Sequence, residues 1–200
     1  MKQFVIVAAS LMMALPALAQ QKIQPGVYEI DAAHSKVGFE IPHLVISTVE
    51  GRFTKYAGSI DLKEKFDASK VDATVEVESI DTSVGKRDEH LRSADFFDTK
   101  KFPKITFKST GITGTPDNFK MTGDLTIRGV TKKVVFDGKY LGSVQDGFGQ
   151  QKVAFDAKTK INRKDFGLTW NKMVEAGPTV GDEVTLSLKI QAAQKAVAKK

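Results

Sequence analysis

The stretch Phe119-Lys120-Met121-Thr122-Gly123-Asp124-Leu125-Thr126-Ile127-Arg128 alternates without a slip: odd positions are apolar or glycine, even positions charged or hydroxylated. A period of two predicts a strand with one dry and one wet face, the habit of antiparallel sheets. The same period recurs on both sides. Val71, Ala73, Val75 and Val77 alternate with Asp72, Thr74, Glu76 and Glu78. Val153, Phe155, Ala157, Thr159 and Ile161 do so from residue 152 to 161, and Val184, Leu186, Leu188 and Ile190 from 183 to 190. Shorter runs lie near residues 26–30, 37–41, 49–55, 58–62, 104–112 and 133–141. Turn chemistry separates them, as at Gly114-Thr115-Pro116-Asp117-Asn118 and Asp146-Gly147-Phe148-Gly149.

One stretch breaks the pattern. SVGKRDEHLRSADFFD, residues 83–98, has no alternation and is rich in helix formers. It predicts a helix over 85–93 and a short turn of helix over 94–97, with Asp95 as a cap. Eight to ten one-sided strands must bring their dry faces together as a sandwich or a closed barrel. Runs of nine or ten residues joined mostly by short turns favour an up-and-down barrel of about eight strands, wide enough for one ligand.

Composition narrows the function classes. The 200 residues include no cysteine, which excludes disulfides, iron–sulfur clusters, thiolate zinc sites, a cysteine nucleophile and a lipoprotein anchor. The net charge of +6 comes from 25 lysines and only five arginines, interleaved with acids. That is a solubilising surface rather than a nucleic-acid reader, which relies on arginine forks. At the start, Lys2, an apolar run from Phe4 to Leu15 and Ala17-Leu18-Ala19 spell a secretory signal peptide cleaved before Gln20. The run is too short to span a bilayer, which needs about 20 residues. The expected organisation is a signal peptide at 1–19, one barrel domain at 20–191 and a flexible Ala/Lys-rich tail at 192–200. The expected location is the periplasm.

Five segments occur in a telling order: DAAHSKVGFEIPHL (31–44), VEGRFTKYAGSIDL (49–62), HLRSADFFDTKKFPKITFKS (90–109), GDLTIRGVTKKV (123–134) and INRKDFGL (161–168). Together they resemble the YceI-like family of exported, lipocalin-like polyisoprenoid-binding proteins, over essentially all of residues 25–190. The only departure is the Ala/Lys tail. The resemblance implies an extended antiparallel barrel with a helix by its mouth, a long apolar tunnel, amphiphilic ligands such as polyprenyl chains or fatty amides, and a homodimer. It implies no cofactor.

The aromatic residues supply a lining for such a tunnel. Phe39, Phe53, Phe107, Phe119, Phe136 and Phe155 fall on dry strand faces, and Phe96, Phe97, Phe166 and Trp170 lie in connecting segments. Each also fits an ordinary core. A polar headgroup would be met by Arg87 and His90 on the helix and by His34, His43 and Arg163 at strand ends. The plainer roles of these five are surface ion pairs, turn hydrogen bonds and, for Arg163, shaping the turn with Asp165. No G-x-S-x-G, P-loop or Rossmann fingerprint is present. The expected function is an exported protein that carries or sequesters a long-chain amphiphile without catalysis. Two alternatives stand beside it: a lipid-modifying enzyme using His43 or His90 as base, and a histidine-based metal-binding protein.

Overall fold

The computed structural model describes residues 23–175 and 177–195. The expected signal peptide and the last five residues of the expected tail lie outside them.

The alternating runs become strands paired antiparallel with their neighbours in the chain. β1 (Gly26–Ile30) and β2 (Lys36–His43) form one long stave, broken by a 3-10 turn at Ala32–His34 that Asp31 caps. β3 (Ser47–Phe53) and β4 (Tyr56–Leu62) run back along it, β3 on β2 and β4 on β1. β5 (Lys70–Glu76) and β6 (Ile80–Asp81) make the third stave. Next come β7 (Lys104–Thr115), β8 (Asn118–Ile127), β9 (Val130–Gln145) and β10 (Gln151–Asn162). A small hairpin of β11 (Met173–Val174) and β12 (Gly177–Pro178) precedes β13 (Glu183–Gln194). β13 pairs with β10 on one side and with both β2 and β1 on the other. That closes an eight-stave antiparallel barrel, the expected architecture.

Local chemistry explains the joints. β8 turns into β9 through Arg128 and Gly129, both at positive φ (51° and 75°), the geometry of a tight hairpin that follows the sheet twist. The helix α1 (Gly85–Arg92) sits at the end of the barrel where β2 meets β3. Its Arg92 donates to the carbonyls of Glu78 and Ile80, and the buried Asp88 accepts from the Thr82 amide and hydroxyl.

Two expectations are corrected. Residues 94–97 form turns, not a second helix. The Phe96 and Asp98 amides both donate back to the Ser93 carbonyl, Asp98 takes a φ of 49°, and Asp95 bonds His90 instead of capping. The tail does not begin at 192. Ala192 through Gln194 belong to β13, and Ala192 is fully buried between Val153 of β10 and Ile30 of β1. The barrel closes there only because the last strand reaches β1, and alanine fits the narrow gap.

The end opposite α1 is solid. Tyr28, Leu62, Phe66, Tyr140 and Val153 are buried there, and the rings of Phe66, Phe119, Phe155 and Tyr140 meet in succession, tilted or edge-on, with centroids 5.2–6.4 Å apart. Among the described residues, no helix is long and apolar enough to cross a membrane.

Candidate functional site

Above that plug the barrel is hollow. A cavity of about 600 Å³, within the range of small-molecule sites, runs from Leu62, Phe66 and Phe119 up to the α1 end. Its wall is apolar almost throughout, and the histidine, lysine and arginine side chains on it gather at one end: His43, Lys86, Arg87, His90 and Arg163.

The hollow depends on glycine. A Cβ on Gly138 would stand 2.3 Å from the Phe119 ring, one on Gly123 2.3 Å from Phe107, and one on Gly51 2.2 Å from Phe39. Each phenyl ring reaches over a glycine of the adjacent strand, into the space a side chain there would take. Inward alanines, Ala57, Ala73 and Ala157, keep other parts of the wall thin. Bulky aromatics therefore line the space without filling it.

The mouth is held by a short list of polar contacts. Arg87 donates from Nε to the Thr82 hydroxyl at 2.7 Å and from Nη2 to the Thr82 carbonyl at 2.8 Å. His90 meets Asp95 at 3.0 Å and sets its ring edge against Trp170. Arg163 is buried, donating to the carbonyls of Gly181, Leu168 and Trp170, with Asp182 beside it. Burial draws its guanidinium pKa down, and the Asp182 charge partly offsets this. Lower in the wall, Tyr56 donates to the Ser35 carbonyl at 2.6 Å, and burial raises its phenol pKa.

Residues 28–192 match the YceI-like domain. The chain belongs to the YceI-like family. Relatives include Protein YceI of Escherichia coli O17:K52:H18, 39% identical over 170 residues and covering 84% of this chain and 86% of the relative. Protein YceI of Salmonella newport is 38% identical over the same length and the same shares. Among solved structures, Burkholderia cenocepacia BcnA superposes with a TM-score of 0.70 at 25% identity, covering 81% of this chain and 98% of BcnA. The Campylobacter jejuni YCEI protein superposes at 0.68 with 36% identity, covering 83% and 96%. A Saccharophagus degradans domain described as polyisoprenoid-binding shares the fold, with a TM-score of 0.63 at 14% identity over 86% and 100% of the two chains.

In this YceI-like barrel, Phe39, Phe53, Phe96, Phe97, Phe107, Phe119, Phe136, Phe155 and Trp170 all face the cavity. Phe166 does not. It turns into the core beneath the 3-10 turn Arg163–Phe166, which ends at Gly167 with a φ of 75°. His43, Arg87 and His90 stand at the mouth, but His34 is at the wrong end. It is exposed, with Nδ1 2.8 Å from Asp31, before the start of β2, whose far end is His43. The length of β2 separates the two histidines by about 20 Å, so the three histidines cannot share one metal ion. Arg163 touches the cavity, yet its guanidinium is committed to carbonyls and to Asp182, the turn-shaping role.

Sequence reading missed the glycine bays and the Thr179–Val180 part of the mouth, where Val180 bridges to His43. The one available signal for the bays was glycine at inward positions of otherwise regular strands.

Proposed function

We propose that this YceI-like protein binds a single long-chain amphiphile, of polyisoprenoid or fatty-acyl type, and carries or sequesters it without catalysis. One observation carries the reading: a closed barrel encloses an apolar cavity whose histidine, lysine and arginine side chains sit together at the end away from the plug. The hydrocarbon tail would lie among Phe107, Phe119, Phe136 and Phe155, with the head beside His43, Lys86, Arg87 and His90. Burying about ten methylenes gains roughly 8 kcal/mol gross, reduced by ordering and association costs. Such a site selects for length and apolarity more than for identity. The polyisoprenoid-binding description of the Saccharophagus degradans neighbour supports the ligand class.

At the mouth His90 pairs with the exposed Asp95 at 3.0 Å, a pair that stands beside the proposed headgroup position. The apolar run and Ala-x-Ala at residues 4–19 support export to the periplasm. Family resemblance supports a homodimer, which sedimentation velocity tests.

The deciding experiment is native mass spectrometry of the mature protein from its own host, followed by solvent extraction. A stoichiometric lipid, absent from a control protein, is the expected result. A clean apo mass from protein that also refuses added polyprenyl and fatty-acyl compounds would refute the proposal.

A further inference from the structure

Exposed apolar tips stand at the α1 end of the barrel, next to the cavity-lining residues His43, Thr179 and Val180. Between β2 and β3 the chain turns through Leu44 and Val45 at φ of 51° and 65°. This left-handed region suits glycine or asparagine, and a β-branched residue there is strained. The tight hairpin at Arg128-Gly129 places a glycine at its second position; this one places valine. Val45 is 65% exposed and Ile46 88%. Across from them the β11–β12 hairpin presents Met173, 71% exposed, beside Val174. The two tips touch: the Leu44 amide donates to the Thr179 carbonyl at 2.9 Å, and a Cβ on Gly177 would lie 3.4 Å from Val45. Val84, also exposed, lines the cavity at the N-terminus of α1.

Lysines and an arginine flank these tips, with Glu89 of α1 and the cross-strand pair Glu40 and Glu50 of β2 and β3 as neighbouring acids. Lys86 and Lys172 make no ion pair among the described residues, Arg87 lies next to Lys86, and Glu175 is the acid of the β11–β12 turn. Strain kept at an exposed apolar turn points to a use for that turn. The combination of apolar tips, flanking lysines and an apolar cavity beside them matches one kind of surface, a bilayer with anionic headgroups over a hydrocarbon interior.

We propose that the mouth end docks on an anionic lipid surface. Val45, Ile46 and Met173 enter the headgroup–acyl boundary, and Lys86 and Lys172 meet the phosphates. A hydrocarbon chain can then pass between bilayer and cavity without crossing water. The docking goes beyond the cavity's ligand, and its test does not require that ligand to be known.

The test is flotation of the mature full-length chain with phosphatidylethanolamine–phosphatidylglycerol vesicles, compared with phosphatidylcholine alone. The expected result is binding to the anionic vesicles that weakens with salt and falls about tenfold in Ile46→Asp. Val45→Asn fits the left-handed turn and removes an apolar tip without threat to folding, so it should weaken binding as well. Phe148→Asp, at a 98% exposed position on the β9–β10 turn at the plugged end, should leave binding unchanged. Absence of vesicle binding by the parent chain, or equal loss in Phe148→Asp, would overturn the proposal. So would a self-association, seen by sedimentation, that Ile46→Asp abolishes while vesicle binding persists.

Discussion

The rings of His90 and Trp170 meet edge to face with centroids 4.9 Å apart, and Phe96 closes the group at 5.0 Å from His90 and 5.1 Å from Trp170. This triad ties α1 to the segment between β10 and β11 and stands on the cavity wall. A chain entering the mouth must pass it. Emission from Trp170, the single tryptophan, should shift to shorter wavelength and saturate as a polyprenyl or fatty-acyl compound displaces water beside it. A flat titration with a compound shown by mass to bind would remove Trp170 from the ligand's path.

The glycine bays make a second prediction. At Gly138 the atoms a Cβ would strike all belong to the Phe119 ring, so Gly138→Ala should push that ring into the lumen. Overpacking of this kind costs about 1–3 kcal/mol, read as a lower denaturant midpoint. Affinity should fall more for long-chain than for short-chain ligands, because Phe119 lies toward the plug. The double variant Gly138→Ala with Phe119→Leu should recover long-chain binding by competition assay.

The barrel was legible because every long strand carries its two faces in its own alternation, and turn residues mark most of the joints. Nine of the ten aromatics assigned to the cavity reach it by that parity or by proximity to α1. What was not legible depends on three-dimensional neighbours. His34 and His43 look alike in sequence, each beside one end of β2, and only closure of the barrel says which end is open. Phe166 is drawn into the core by a turn that ends at the left-handed Gly167, whose carbonyl accepts from Arg128 of the β8–β9 turn. Ala192 reads as the start of a polar tail until β1 is seen to need it as a partner. How the expected tunnel stays unfilled was not legible for the same reason: a phenylalanine can lean over the neighbouring strand only if that strand offers a glycine.

Acid sensitivity follows from three carboxylates held below the usual value of 3.8. The His34 ring does this for Asp31, the Ser83 amide and Arg52 for Asp81, and the Gln150 and Phe148 amides for Asp146. A carboxyl whose folded pKa is depressed adds stability that is complete above its unfolded pKa and is lost as pH falls through the folded value. The urea midpoint should therefore hold from neutral pH to about 5 and drop progressively as pH falls below that. Asp81→Asn should be less stable than the parent at neutral pH and converge with it at the acid end. A gap that widens with acid would contradict the assignment.

Arg163 should be the most sensitive single position near the mouth. Its side chain is buried, and its three nitrogens satisfy the carbonyls of Gly181, Leu168 and Trp170 as well as facing Asp182. Arg163→Met would leave those carbonyls without a donor and Asp182 without its buried partner, a loss on the order of 3–5 kcal/mol. Arg163→Lys keeps the charge but cannot span all three carbonyls, so it should recover only part of the midpoint. The native Trp170 emission should also move to longer wavelength in Arg163→Met, because the carbonyl that anchors that residue is released. Were Arg163 instead free to serve a headgroup, both variants would unfold near the parent midpoint and differ from it only in ligand affinity.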